Sequence, residues 1–121
     1  MRYTTVVSTQ DGGSRFEDVD VEMKSALAAK GVTPLLLSAP VSVTSLTFIQ
    51  QPEGAGEWAL HPAPRRQFAI ILAGRGAIQT SDGARREFEP GDVVLLEDTT
   101  GIGHVSTPMT SDFRIAVIPV S

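Results

Sequence analysis

Residues 89–104 read EPGDVVLLEDTTGIGH, and the parsing of this stretch decides the architecture. Pro90-Gly91-Asp92 is turn chemistry, because proline presets one backbone dihedral and glycine tolerates positive φ. Val93 to Leu96 is a short aliphatic run bounded by turn signals, which reads as a buried strand. Gly101 to Gly103 punctuates again, and His104 opens the next segment.

The same grammar extends outward in both directions. Asp11-Gly12-Gly13, Pro52 to Gly56, Gly74-Arg75-Gly76 and Asp82-Gly83 recur at roughly the eight-to-twelve-residue spacing of an all-β sandwich or barrel. Between them, residues 16–23 (FEDVDVEM) alternate Val19, Val21 and Met23 against Asp18, Asp20 and Glu22, the period of a half-buried strand. QFAIILA (67–73) and DFRIAVIPV (112–120) read as strands with deeper burial, and Ser81-Asp82-Gly83 between AIQT and ARREFE is a strong hairpin signal. A single short helix is expected from the Ala-rich Lys24 to Gly31. Val32 to Pro52, the longest uncharged run, is expected to be buried strand; Pro34, Pro40 and its Ser, Thr and Gln residues disqualify it as a membrane span.

With 121 residues, 41% hydrophobic and 20% charged, the chain is expected to fold as one domain over residues 1–121, with N-terminal strands in 1–50. There are no cysteines, which excludes disulfides, thiolate metal sites and cysteine nucleophiles. The net charge of −4 argues against nucleic-acid or anionic-membrane partners, which require a basic face. The N-terminal residues lack a signal-peptide pattern, so a cytoplasmic location is expected.

Chemistry concentrates around the only two histidines, His61 and His104. His61 opens HPAPRRQ (61–67). If 61–73 were extended, His61, Arg65 and Gln67 would share one face, but a bend at Pro62 and Pro64 is needed to bring His61 and Gln67 to one point. Arg65 pointing inward would be an anion partner; the alternative is that Arg65 and Arg66 are both solvated at the rim. Trp58 either floors an apolar pocket or covers the core. Glu97 and Asp98, being adjacent, point apart in extended chain, leaving one to act as acid or base near His104 or both to be solvated.

These residues resemble the cupin superfamily, small jelly-roll barrels with two motifs, G(X)5HXH(X)3-4E(X)6G and G(X)5PXG(X)2H(X)3N. With His61 on the first histidine, Ala63 falls on the second, Gln67 on the glutamate and Gly74 on the closing glycine. Gly91 and His104 match the second motif, and the correspondence covers about residues 54–107. The first motif is degenerate: Ala63 removes an imidazole and Gln67 replaces a carboxylate, while Gly54 and Gly56 straddle the opening glycine. In the second, Gly91 to His104 is longer than the pattern, and the proline and asparagine are missing.

The resemblance implies an all-β, double-stranded β-helix of jelly-roll type, frequently a homodimer, with a small-molecule ligand in the barrel. It implies a divalent ion, Fe(II), Mn(II), Ni(II) or Zn(II), held by His61, Gln67 and His104, and dioxygenase, isomerase or lyase chemistry on an oxygenated or anionic substrate with Arg65 as anion partner. Two other readings stay open: a metal-free cyclase or epimerase using His61 or His104 to move a proton, and a binding module that leaves its ligand unchanged.

Overall fold

A computed structural model of the chain describes residues 1–27, 29–52 and 58–121, and these contain twelve strands and no helix. They are β1 (Arg2–Ser8), β2 (Ser14–Asp20), β3 (Lys24–Ala26), β4 (Leu35–Leu37), β5 (Thr47–Gln50), β6 (Trp58–His61), β7 (Gln67–Ala73), β8 (Gly76–Thr80), β9 (Arg85–Phe88), β10 (Val93–Glu97), β11 (His104–Pro108) and β12 (Arg114–Pro119). A six-stranded sheet in the order β2-β1-β10-β7-β12-β5 faces a four-stranded sheet in the order β6-β11-β8-β9. The all-β expectation holds, and the form is a sandwich. Only β1 and β10 run parallel, with Val6 beside Leu96; the remaining pairings are antiparallel.

The core lies between the two large sheets. Alternate residues of three neighbouring strands supply it from one side: Val94 and Leu96, Ala69 and Ile71, Ile115 and Val117. Ile78 and Phe88 answer from the four-stranded sheet, and Phe113 packs with them. This is the period-two geometry of the sequence made solid. In β2, Val19 is half-buried while Asp18 and Asp20 are exposed, as the alternation requires.

The Asp82-Gly83 hairpin forms as expected between β8 and β9. Gly83 takes φ +90, Thr80 accepts from the Gly83 N–H at 3.1 Å, and the Thr80 N–H donates to Ala84 at 3.0 Å. Those bonds describe a tight turn closed by a glycine bulge. The Asp82 carboxylate caps it, accepting from Thr80 Oγ1 at 2.6 Å and from the Ala84 N–H at 3.1 Å.

Two expectations on the N-terminal half are corrected. Lys24 to Gly31 is not a helix: Lys24–Ala26 pairs antiparallel with Leu35–Leu37, and Gly31 adopts φ +84 in the connection, of which Ala28 lies outside the described residues. An eight-residue helix is marginal without a surface to pack on, so composition alone could not hold it. Val32 to Pro52 is not buried strand either. It breaks at its prolines into β4 and β5 with an isolated bridge from Val43 to Val120, and every described residue from Lys24 to Phe48 is exposed. The turn expected at Pro52 to Gly56 falls on residues 53–57, outside the described set.

Hydrogen bonds from the Thr80 hydroxyl and the Ala84 N–H hold the Asp82 carboxyl below its ordinary range. A depressed folded-state pKa stabilises the fold above the unfolded pKa, and that contribution is lost as pH falls below roughly 4. Asp82→Asn should therefore melt below the parent at about pH 7, with the gap closing towards about pH 3. Thermal melts across that range, followed by circular dichroism, check it.

Candidate functional site

His61 ends β6 and His104 begins β11, and the two are direct cross-strand partners. Paired residues on neighbouring strands project their side chains to the same face. The imidazole centroids lie 5.6 Å apart with the rings tilted by 56°. His104 also pairs with Thr80 on its other side, so it stands in the middle of the four-stranded sheet. Its exposure is 2%, whereas His61 is exposed.

Gly103 permits this juxtaposition. A Cβ there would sit 2.0 Å from the His61 carbonyl oxygen, and φ is +79. Only glycine allows β11 to enter so close to β6. The loop before it is pinned to the first hairpin, with Ser14 Oγ donating to Gly103 O at 2.7 Å and the Ile102 N–H donating to Gly12 O at 3.0 Å.

The residue that sequence reasoning underweighted is Asp98. It has zero exposure, and its Oδ2 accepts from His104 Nδ1 at 2.5 Å. The Asp98 carbonyl is bound by the Ala63 N–H at 2.9 Å, and Ala63 is itself in the core. Asp98 Oδ1 is buried without a hydrogen-bond partner among the described residues. Glu97 turns the other way, taking Thr5 Oγ1 at 3.0 Å and Arg66 Nε at 2.8 Å. The two carboxylates do point apart, and Asp98 is the one beside His104. Strand phase accounts for its position once the facing sheet is known: Val94 and Leu96 face the core, and Asp98 continues their parity.

A carboxylate on Nδ1 fixes the tautomer of His104 and leaves Nε2 as its basic nitrogen. His61 is set the same way, since its Nδ1 lies 2.7 Å from the Pro62 carbonyl, which can only accept. Two imidazoles therefore stand side by side with their Nδ1 atoms occupied.

Gln67 is not on the strand that carries His61. The chain bends through Pro62 to Arg66, and Gln67 opens β7 in the opposite sheet, so the shared-face arrangement over 61–73 is replaced by two walls. On β7, Gln67 has the inward parity of Ala69 and Ile71 and pairs with Leu96, two residues before Asp98. It faces the histidine sheet across the same end of the sandwich. Arg65 is exposed on the bend, and Arg66 is ion-paired with Glu97.

An apolar cavity of about 50 Å³ lies deeper between the sheets, lined in part by Trp58, Ile71, Leu96, Phe113 and Ser106. Trp58 packs on Phe113 with centroids 6.3 Å apart, so it covers the core and lines the cavity at once. The cavity is several times smaller than the roughly 300 Å³ of a ligand pocket.

As a metal centre the donors present are two imidazoles and one neutral amide. The carboxylate behind His104 is the usual partner of a ligating histidine. No group of three His, Asp or Glu side chains suited to an ion occurs among the described residues. A third donor would have to come from Gln67 on the facing wall.

No protein-family model and no curated protein matches the chain. Among solved structures it is similar to the crystal structure of protein NMB1881 from Neisseria meningitidis, with 12% identity over 68% of this chain and 84% of that one and a TM-score of 0.45. Among the described residues no helix is long and apolar enough to cross a membrane.

Asp98→Ala should destabilise the fold by about 1–3 kcal/mol, because it strands a buried imidazole nitrogen. His61→Ala, at an exposed site, should stay within about 0.5 kcal/mol of the parent. Urea denaturation of both variants measures the contrast. Equal losses would mean that the Asp98–His104 bond contributes nothing of its own.

Proposed function

We propose that the chain is a cupin-type enzyme acting by proton transfer on a small oxygenated or anionic molecule at the mouth of the sandwich. The observation that carries this reading is the buried Asp98–His104 pair with His61 beside it. Burying a carboxylate against an imidazole is costly unless the geometry serves a purpose, and fixing a tautomer so that Nε2 can take a proton is such a purpose. His104 serves as the base, Asp98 positions it, and exposed His61 is the second group able to return a proton. Arg65, exposed on the adjoining bend, would hold an anionic substrate from outside.

Proton abstraction beside a carbonyl suits this set, because it needs one base, one acid and an anion partner. Such a site catalyses epimerisation, isomerisation or elimination. Support for the cupin reading itself comes from the Pro90-Gly91-Asp92 turn leading into β10, from the sandwich, and from both histidines meeting where the two motifs place them.

A second reading is favoured by the same ring orientation. Two imidazoles with occupied Nδ1 atoms are ready to ligate through Nε2, with Gln67 as the oxygen donor. A divalent ion held there would act as a Lewis acid on the substrate oxygen. His61, His104 and Gln67 would hold it, and Asp98 would orient His104.

The test is solvent-deuterium incorporation into a panel of small keto and hydroxy acids, followed by proton NMR. The parent should exchange a carbon-bound proton of at least one member, and His104→Ala should lower that rate by about 10²–10⁴-fold. Exchange that survives chelator supports the metal-free reading; exchange lost with chelator and restored by one of the four ions supports the second. If every member exchanges only at the buffer rate while one binds intact, the chain is a binding module.

A further inference from the structure

The inward positions of β11 arrange the interior in layers. His104 is flanked by His61 and Thr80, and two residues further on Ser106 is flanked by Trp58 and Ile78. Two residues of strand separate these rows by about 7 Å. The facing wall keeps the same order, since Leu96 lies two residues before Asp98 and shares its parity. Going inward from the mouth, the layer of the histidines is therefore followed directly by the layer of Trp58, Ser106 and Ile78.

The apolar cavity begins in that second layer. Trp58, Ser106 and Ile78 line it together with Leu96 and Phe113, and neither histidine does. Phe88 and Val94 line it too, and both lie further from the mouth: Phe88 pairs with Gly76, two residues before Ile78, and Val94 is two residues before Leu96. No charged side chain is among the lining residues.

Protein interiors contain few voids larger than a water molecule. This one, at about 50 Å³, has room for about three or four water-sized groups. Walls of leucine, isoleucine and aromatic rings offer water too few partners and take apolar guests instead. The space is too small for a whole ligand and fits the end of one. Ser106 keeps it open, because its side chain is the smallest of the row it shares with Trp58 and Ile78.

We propose that the cavity is the tail site of the substrate: a short alkyl chain of about three or four carbons lies beside Trp58 and Ser106, while the carbon that loses its proton stands at His104 Nε2 in the layer above. The inference rests on the proton-transfer reading for the head of the substrate and adds the identity of its tail. The substrate class is then a short-chain aliphatic 2-oxo or 2-hydroxy acid. A sugar or a nucleotide would strand its hydroxyls against these walls. Ser106 is the residue that sets chain length, and Phe88 and Val94 close the far end.

The test is binding, read from the emission of Trp58, the sole tryptophan, with pyruvate and its straight-chain 2-oxo homologues up to 2-oxodecanoate as probes. Affinity should rise about 4-fold for each carbon that enters the cavity, level off near 2-oxoheptanoate and fall by 2-oxodecanoate. Emission should move to shorter wavelength only with the members long enough to reach Trp58. Ser106→Leu should abolish the gain and bind pyruvate as the parent does. Ile78→Val, a milder change that keeps the test in force if the leucine variant does not fold, should move the optimum to a longer homologue. Equal affinities along the series, or a gain that both substitutions leave unchanged, overturn the tail site and leave the proton-transfer reading in place. A graded series without solvent-deuterium exchange upholds the tail site and overturns the proton-transfer reading instead. If no oxo acid binds, the tail site is overturned.

Discussion

Burial of β10 on both faces is the constraint on which the rest of the molecule depends. Val94 and Leu95 are neighbours in sequence with opposite orientations, and each is 1% exposed. β10 is hydrogen-bonded to β1 on one side and β7 on the other, so its path is fixed in all directions. A strand locked in this way delivers whatever follows it to a definite place, and Asp98 follows it by one residue. The Ala63 N–H then takes the Asp98 carbonyl, tying the bend after His61 to the same point. The site is thus the outcome of strand packing at one end of the sandwich, with Gly103 as the clearance that lets β11 close upon β6.

The electrostatics of the pair follow from that geometry. Glu97 and Asp98 differ by one methylene and one position, yet one makes a partly exposed ion pair with Arg66 and the other is wholly enclosed with His104. Exposed pairs of the first kind contribute about 0–1 kcal/mol and tolerate loss. Enclosed pairs of the second kind are costly to break, because the survivor is left without water or partner.

Much of the fold was legible, and the reasons are local. The strands at 67–73, 93–97 and 114–119 are aliphatic runs between turns, and Asp82-Gly83 specifies its hairpin within five residues. His61 and His104 were legible as a pair because motif spacing encodes strand pairing. Asp98 was harder. In VVLLED the apolar residues occupy both phases of the strand, so the pattern that would say which carboxylate turns inward is erased by β10 being buried on both sides. Parity could be assigned only once Val94 and Leu96 were known to face the four-stranded sheet. The need for a bend between His61 and Gln67 was legible from Pro62 and Pro64, but that the bend carries the chain into the opposite sheet was not, since Pro62 to Arg66 holds no further signature.

The stretch from Lys24 to Phe48 shows a different limit. Hydrophobicity reports that a side chain is destined to leave water, and it is silent about which surface receives it. Leu35 to Leu37 and Val41 to Leu46 therefore read as strand interior, and the helix assigned to Lys24 through Gly31 came from composition with no packing partner to test it. Lone exposed aliphatics are common on any protein, but nine large apolar residues exposed between Leu27 and Phe48 are not, three of them on a hairpin that pairs with neither large sheet. Pro34 and Pro40 break this run into short pieces, which meet the six-stranded sheet through β5 and the Val43–Val120 bridge.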